Sequence, residues 1–587
     1  LISRDADCET DRVIHRIFVA GLLLASVFCT AACGTSNGLV GSPCDPNGSS
    51  CANGLGCAGA PFPDGVCTKD CSESECPTGS VCGLIKDRGF CVAACADRST
   101  CRAGYQCWNG GCVPACTADD ECGRSFQCVD GQCAPYPGAP AGAPCGDASE
   151  CSTRLCLDGK CALACERDAA CPSDQTCVPT RTDALVLSCA PRRGTAANAV
   201  ACAKDADCDR GACLLGVCVE VCATTSDCHG AGLLCAASGL TLSSTGEFAP
   251  LRGCLPATGT LAFDLPGGEH IPMPGHARSM AIFVKEPNFD MSQLVGLTEL
   301  LDPTGAAIYS QPSTEDQFYA LDIRYIPDNA SSTMLVPNSP AITLAPGPYL
   351  PTAAASSFGR RVETRVYLKL STQPLSTGRA PLNFYLTDLS SNCSGSALTV
   401  SNGANRLSNT ISRIKTIFAG ASIDIPDVTF RGANGALTVV RAATTGGQDP
   451  GDLEAVLKTA TSNQPTTVGM DVTIVRSITD PQGNQVGILG IAGGIPSSPI
   501  LGTPHSGAIV SMDTLCLLGA SGFAETTAHE IGHTLGLFHN VESSGRVDPL
   551  PDTSGSRQNL MYWEENGGYA ISAQQGQVMR NDPKVRQ

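Results

Sequence analysis

Cysteine spacing constrains the fold of this chain more than any other feature. Of its 37 cysteines, 32 lie between Cys44 and Cys254, and they sort into eight sets of four. One set is Cys95, Cys101, Cys107 and Cys112, and the next is Cys116, Cys122, Cys128 and Cys133. The recurring unit is C-x5-C-x5-C-x4-C with variable gaps, and units often join through three residues, as at Cys67/Cys71, Cys112/Cys116 and Cys218/Cys222. A unit of about twenty residues is too small to bury a self-sufficient core, so covalent crosslinks must hold it. Zinc knuckles would need C-x2-C pairs, and none occurs. The even count reads as disulfides, although spacing does not say which cysteine pairs with which inside a set. A row of stapled modules makes an extended stalk or spacer. It is also a candidate surface for a partner or glycan, with no aromatic or charged pattern to choose between them.

The start of the chain agrees with an oxidising destination. Arg12 and Arg16 precede an apolar run over residues 17–28, followed by Thr30-Ala31-Ala32 and Cys33. A charged start, a short apolar core and a small-residue site read as a secretory signal over residues 1–33, too short to span a membrane. The cysteine after small residues resembles the bacterial lipoprotein signal, which implies lipid attachment at Cys33. Thr30 stands where that family usually has leucine, so cleavage without lipid is the alternative. Either way the expected location is extracellular or cell-surface, with membrane contact only through such an anchor. A net charge of −18 excludes a nucleic-acid binder, whose footprint is basic.

At 587 residues the chain exceeds one core and is expected to be multidomain. Disulfide-rich small repeats take residues 34–254. Beyond them the cysteines stop and short β-branched or aromatic runs appear, such as Ala281-Ile282-Phe283-Val284 and Val366-Tyr367-Leu368, between Gly/Pro turns. That alternation predicts an accessory β-sandwich over residues 255–391. Residues 392–587 mix the two periodicities. Leu407, Ile411, Ile414 and Phe418 recur at helical spacing, and residues 453–458 suggest a second helix. Residues 427–430, 472–475, 486–491 and 506–510 read as strands, giving an α+β domain. Ser521 is the expected N-cap of a last helix, with Glu525 in its first turn.

That last helix carries the chemistry. In Ala528-His529-Glu530-Ile531-Gly532-His533, two histidines four apart lie on one helix face, close enough to share a zinc ion at roughly 2.0–2.1 Å. Glu530 follows the first ligand directly, where a carboxylate can serve as general base. Gly536 can end the helix in a left-handed conformation, and the returning chain can bring His539 to a third corner. Three protein ligands leave a fourth zinc position open, as in catalytic sites.

His529-Glu530-x-x-His533-x-x-Gly536-x-x-His539 resembles the long zinc signature of metzincin metalloproteases. Met561, in Asn559-Leu560-Met561-Tyr562-Trp563, matches the family's methionine turn beneath the metal. The resemblance implies a metzincin-like zinc protease domain, with His529, His533 and His539 as ligands and Gly536 and Met561 as structural support. It implies a zinc endopeptidase hydrolysing protein or peptide substrates with Glu530 as base. Residues 541–563 are similar to pappalysin-like and matrixin-like members; Asn540 does not match the acidic residue that marks some subfamilies. Asp548 and Asp552 are a weaker candidate pair for calcium. Cys393 and Cys516 are the only cysteines of the segment and are expected to pair, and His505 reads as a loop residue rather than a fourth ligand. The rival function is a surface binding or adhesion protein whose repeats do the work and whose protease domain is inactive or incidental.

Overall fold

The computed structural model describes residues 38–587 apart from 46–50, 119–125, 390–396, 443–450 and scattered single residues and short runs between them. Cys33 and Cys393 therefore lie outside the described residues. The chain divides into two units, residues 1–67 and 68–587. In the first, Cys44 bonds Cys57 and Cys51 bonds Cys67.

The larger unit continues the array with the same connectivity, first cysteine to third and second to fourth. Cys95 bonds Cys107 and Cys101 bonds Cys112, and the pattern recurs through Cys222–Cys235 and Cys228–Cys254. The local reason is a hairpin. Strands Tyr105–Trp108 and Gly111–Pro114 set Cys107 opposite Cys112 without joining them, and each reaches back to one of the two earlier cysteines. Such bonds belong to an oxidising, extracellular or secreted setting. Among the described residues no helix is long and apolar enough to cross a membrane.

The end of the array is not a free stalk. Arg210 donates to buried Asp168 at 2.6 Å and to fully buried Glu220 at 3.4 Å, and Glu220 also takes His229 Nδ1 at 2.8 Å. One guanidinium thus joins three successive modules, since each carboxylate would be costly to bury alone. Leu215, Val217 and Val219 then enter the same apolar core as Leu261, Ile282 and Leu297 of the following layer.

That layer consists of two antiparallel sheets over a shared core. The first runs Thr258–Leu265, Glu363–Ser371, Ala277–Lys285, Ser331–Val336. The second runs Ile271–Met273, Gly347–Ala355, Leu294–Leu301, Ala307–Ser310, with Asp328–Asn329 also on Leu294–Leu301. Alternation along Ala277–Lys285 sends Met280, Ile282 and Val284 into this core. Ala281, on the opposite face, and Leu335 enter the core of the C-terminal layer. The strands Ala277–Lys285 and Ser331–Val336 of the first sheet are therefore buried on both faces and form one wall of the C-terminal body.

The C-terminal body is a five-stranded sheet in the order Val428–Gly432, Leu382–Leu386, Met470–Val475, Ala508–Ser511, Gly490–Ala492. The first four strands are parallel, and Gly490–Ala492 is an antiparallel edge. Leu382–Leu386 was expected in the accessory layer, yet it lies inside this sheet. Both of its faces are buried, Asn383 and Tyr385 donating to Asp471 of the neighbouring strand, and nothing local says which sheet would bury them. Helices Ser408–Gly420 and Met512–Thr534 pack on the sheet through Ile414, Phe418, Phe523, Ala528 and Ile531. The second helix is two helical segments in succession. A first segment is capped by Ser511, which accepts from Asp513 N–H at 3.1 Å, and the chain breaks at Gly519 (φ 68°, ψ −170°), so the histidine-bearing segment begins just after the break, beside the expected start at Ser521. Only glycine occupies that backbone region readily. Glu525, early in the histidine-bearing segment, is held by Arg413 at 2.7 Å.

Candidate metal centre

The break at Gly519 isolates a buried helical segment that carries His529, Glu530 and His533. It ends where Leu537 N–H donates to the Gly532 carbonyl at 3.0 Å and Gly536 N–H to the His533 carbonyl at 2.9 Å. This pair of bonds requires a left-handed residue after the cap, and Gly536 has φ 96°. The reversal returns His539 to the helix. The ring centres of His529, His533 and His539 lie 4.8, 4.7 and 5.3 Å apart pairwise.

Each ring is oriented by a bond from its Nδ1. His529 donates to the Leu560 carbonyl at 2.7 Å, His533 to the Leu537 carbonyl at 2.7 Å and His539 to Glu542 Oε2 at 2.9 Å. A neutral ring that keeps its proton on Nδ1 presents a lone pair at Nε2. His533 Nε2 and His539 Nε2 face each other at 3.2 Å. Two lone pairs at that distance repel unless a cation lies between them. Tetrahedral ligands at roughly 2.0–2.1 Å from zinc would sit about 3.3 Å apart. Burial, helped by the neighbouring His539, pushes the pKa of His529 down to about 4, and burial likewise holds that of His533 well below its usual range. Both are thereby kept in the neutral form that binds metals. The donor set fits zinc.

The supporting residues are as specific as the ligands. Met561 is fully buried, and a Cβ on Gly532 would collide with its sulfur. Consecutive carbonyls of the same turn serve both halves of the site, Leu560 accepting from His529 and Met561 from Asn540 N–H at 2.8 Å. Asn559 fixes that turn, accepting from Met561 N–H at 2.9 Å while exchanging two amide bonds of 3.0 Å with Gln575. Glu530 is buried beside Gly490 of the edge strand, where a Cβ would stand 2.6 Å from Glu530 Cγ. Sequence reasoning missed Gly490, Gly532, Asn559 and Glu542. Only Glu542, three residues after His539, had a readable signal, as an acidic partner for a ligand ring.

Other sequence candidates fall elsewhere. His505 bridges the Gly493 and Asn329 carbonyls at 2.6 and 2.7 Å, away from the three-histidine cluster's bonds. Asp548 pairs with Arg324 at 2.5 Å, a cation where calcium would need ligands, and Asp552 accepts from Ser572 Oγ and Gln574 N–H at 2.8 Å. Cysteine triplets such as Cys44, Cys51 and Cys67 are near enough to share an ion. Their sulfurs are in disulfides, however, and offer no thiolate. Cys516 is disulfide-bonded.

No protein-family model matches the chain, and no curated protein matches it. Among solved structures, the crystal structure of metalloproteinase-II from Bacteroides fragilis is similar over 36% of this chain and 60% of that one, with 15% identity and a TM-score of 0.21. This chain thus spans three-fifths of that protein's length, and so low a score does not establish a shared fold.

Proposed function

We propose that this chain is a zinc-dependent endopeptidase of metzincin type, exported to an oxidising compartment and acting on protein or peptide substrates. The observation that carries the reading is the pair of Nε2 atoms of His533 and His539, 3.2 Å apart with both Nδ1 protons already committed. His529, His533 and His539 would hold the ion. Zinc, when bound, supplies Lewis acidity that polarises a carbonyl and brings the pKa of water toward about 7.

The chain's own part in the reaction is proton transfer and positioning. Glu530 takes a proton from the attacking water as its oxygen bonds the scissile carbon, then delivers that proton to the departing amine nitrogen as the C–N bond breaks. One water is consumed, and Glu530 ends as it began. Burial of Glu530 beside Gly490 holds the carboxylate in one place through both transfers. The antiparallel edge Gly490–Ala492 offers main-chain groups on which an extended peptide can lie. Lipid attachment at Cys33 belongs to the same reading and would tether the enzyme to a membrane surface.

The test is cleavage of casein by purified protein, its abolition by chelator and its restoration by zinc. Glu530→Gln should retain one zinc per chain and lose turnover. Full turnover in that variant would put the base elsewhere.

A further inference from the structure

Two sheet edges border a common cavity. Ser331–Val336 is the last strand of the first sheet, and residues 492–496 lead away from the edge strand Gly490–Ala492 of the C-terminal body. Residues of both line a cavity of about 190 Å³. Alternation along Ser331–Val336 turns Ser332, Met334 and Val336 away from it. Ser332 Oγ donates to the Val295 carbonyl at 2.8 Å, and Met334 and Val336 enter the two-sheet core. Ser331, Thr333 and Leu335 take the opposite face, and Leu335 joins the core of the C-terminal body while Ser331 and Thr333 line the cavity. Both are buried, and among the described residues neither Ser331 Oγ nor Thr333 Oγ1 has a hydrogen-bond partner. Hydroxyls hidden from water are costly to leave unpaired, so two on one cavity wall point to a ligand that pairs with them.

Asp328 supplies the charge. Its side chain is about two-fifths exposed, its Oδ1 accepts from Asn329 N–H at 2.8 Å, and its Oδ2 stands 3.5 Å from Nδ1 of His505, which also lines the cavity. His505 commits both ring nitrogens to main-chain carbonyls, Gly493 at 2.6 Å and Asn329 at 2.7 Å, so it walls the cavity without offering a donor to a guest. Among the lining residues there is no Lys or Arg, and Ile326, Leu453 and Pro496 add apolar surface. Apolar walls that end in a carboxylate and two hydroxyls match a long apolar stem with a cationic tip. The volume falls below the roughly 300–1,000 Å³ of small-molecule sites, so the cavity suits one side chain. Its position agrees. Ala492 lines the cavity two residues after Gly490, which lies against Glu530. At about 3.3 Å per residue, a peptide stretched along this edge brings a side chain to the cavity two or three residues from the bond cleaved at Glu530.

We propose that this cavity is a specificity subsite for a basic side chain, Lys or Arg, of the substrate peptide, read by Asp328, Ser331 and Thr333. The inference rests on the peptidase reading above. It gives the two-sheet layer a part in choosing the substrate, since that layer supplies the carboxylate and both hydroxyls.

The test uses the full chain with zinc and pairs of peptides that differ only by lysine or norleucine at one position, stepped through three residues on either side of the cleaved bond. Norleucine keeps the stem and removes the ammonium. At one position, second or third from the bond, kcat/KM should favour lysine about tenfold. Asp328→Asn keeps the size and the bond from Asn329 and should remove most of that preference; Thr333→Val should reduce it about threefold. A variant that is merely destabilised loses both peptides alike, so the ratio separates recognition from folding. Equal cleavage of both peptides at every position, or a lysine preference unchanged in both variants, overturns the subsite and leaves the peptidase reading standing. A zinc-loaded protein that cleaves neither these peptides nor casein overturns the peptidase reading and the subsite with it.

Discussion

Gly532 stands directly over Met561, and a methyl group on the glycine would occupy the space of the methionine sulfur. In an exposed helix, Gly→Ala stabilises by roughly 1 kcal/mol. Here overpacking should win, at roughly 1–3 kcal/mol. Gly532→Ala is therefore expected to lower the melting temperature and weaken zinc binding, because the same turn orients His529. Thermal unfolding with and without zinc reads both effects; a more stable variant would mean that Met561 has room to move.

Gly536→Ala should be costly for a different reason. With φ at 96°, an L side chain is strained, and its Cβ would sit 2.9 Å from Leu335 Cδ2. A loss of about 1–2 kcal/mol is expected from the backbone. Zinc titration should show weaker binding, since the turn delivers His539.

The metal-free protein should lose stability in acid. His529 has a folded pKa of about 4, and that of His533 is also depressed, against about 6.5 unfolded. As pH falls below 6.5 the unfolded chain takes up protons that the folded chain refuses, so stability falls until pH nears the folded values. His529 alone accounts for roughly 2 kcal/mol between pH 7 and 5. Denaturant midpoints of chelator-treated protein at those two pH values measure it, and His529→Gln should flatten the slope.

Removing the guanidinium of Arg210 should loosen the last modules. Asp168 and Glu220 would stay buried without it, and severing a fully buried pair costs roughly 3–5 kcal/mol. Arg210 is itself about a quarter exposed, so Arg210→Ala should cost less, about 2 kcal/mol. Faster amide exchange confined to residues 165–235 is the expected signature.

Cys516 is disulfide-bonded, and Cys393 is its expected partner. Peptide mapping without reductant should recover the two in one linked fragment. A fragment joining Cys516 to any array cysteine would break the division between array and C-terminal body.

Much of the site was legible because its parts are close in sequence. His529 and His533 need only one helical turn, and Gly536 needs only a local reversal. The supporting shell was not legible. Gly490 meets Glu530, and Gly532 meets Met561, through contacts that no local pattern records. Leu382–Leu386 misled for a related reason: buried on both faces, it could enter either sheet, and its neighbours at residues 428–432 and 470–475 decided.

Local chemistry thus determined the stapled modules, the two-fold character of the body as sheets with a few helices, and three imidazoles within reach of each other. Spacing along a chain controls such features directly, through helical pitch and loop closure. Only the tertiary structure decided the first-to-third, second-to-fourth disulfide pairing, the Leu560–Met561 turn under both halves of the site, and the contacts of Phe318 and Arg324 with the loop of His539. Those depend on surfaces brought together by burial of apolar faces, and burial couples residues hundreds of positions apart without leaving a local trace.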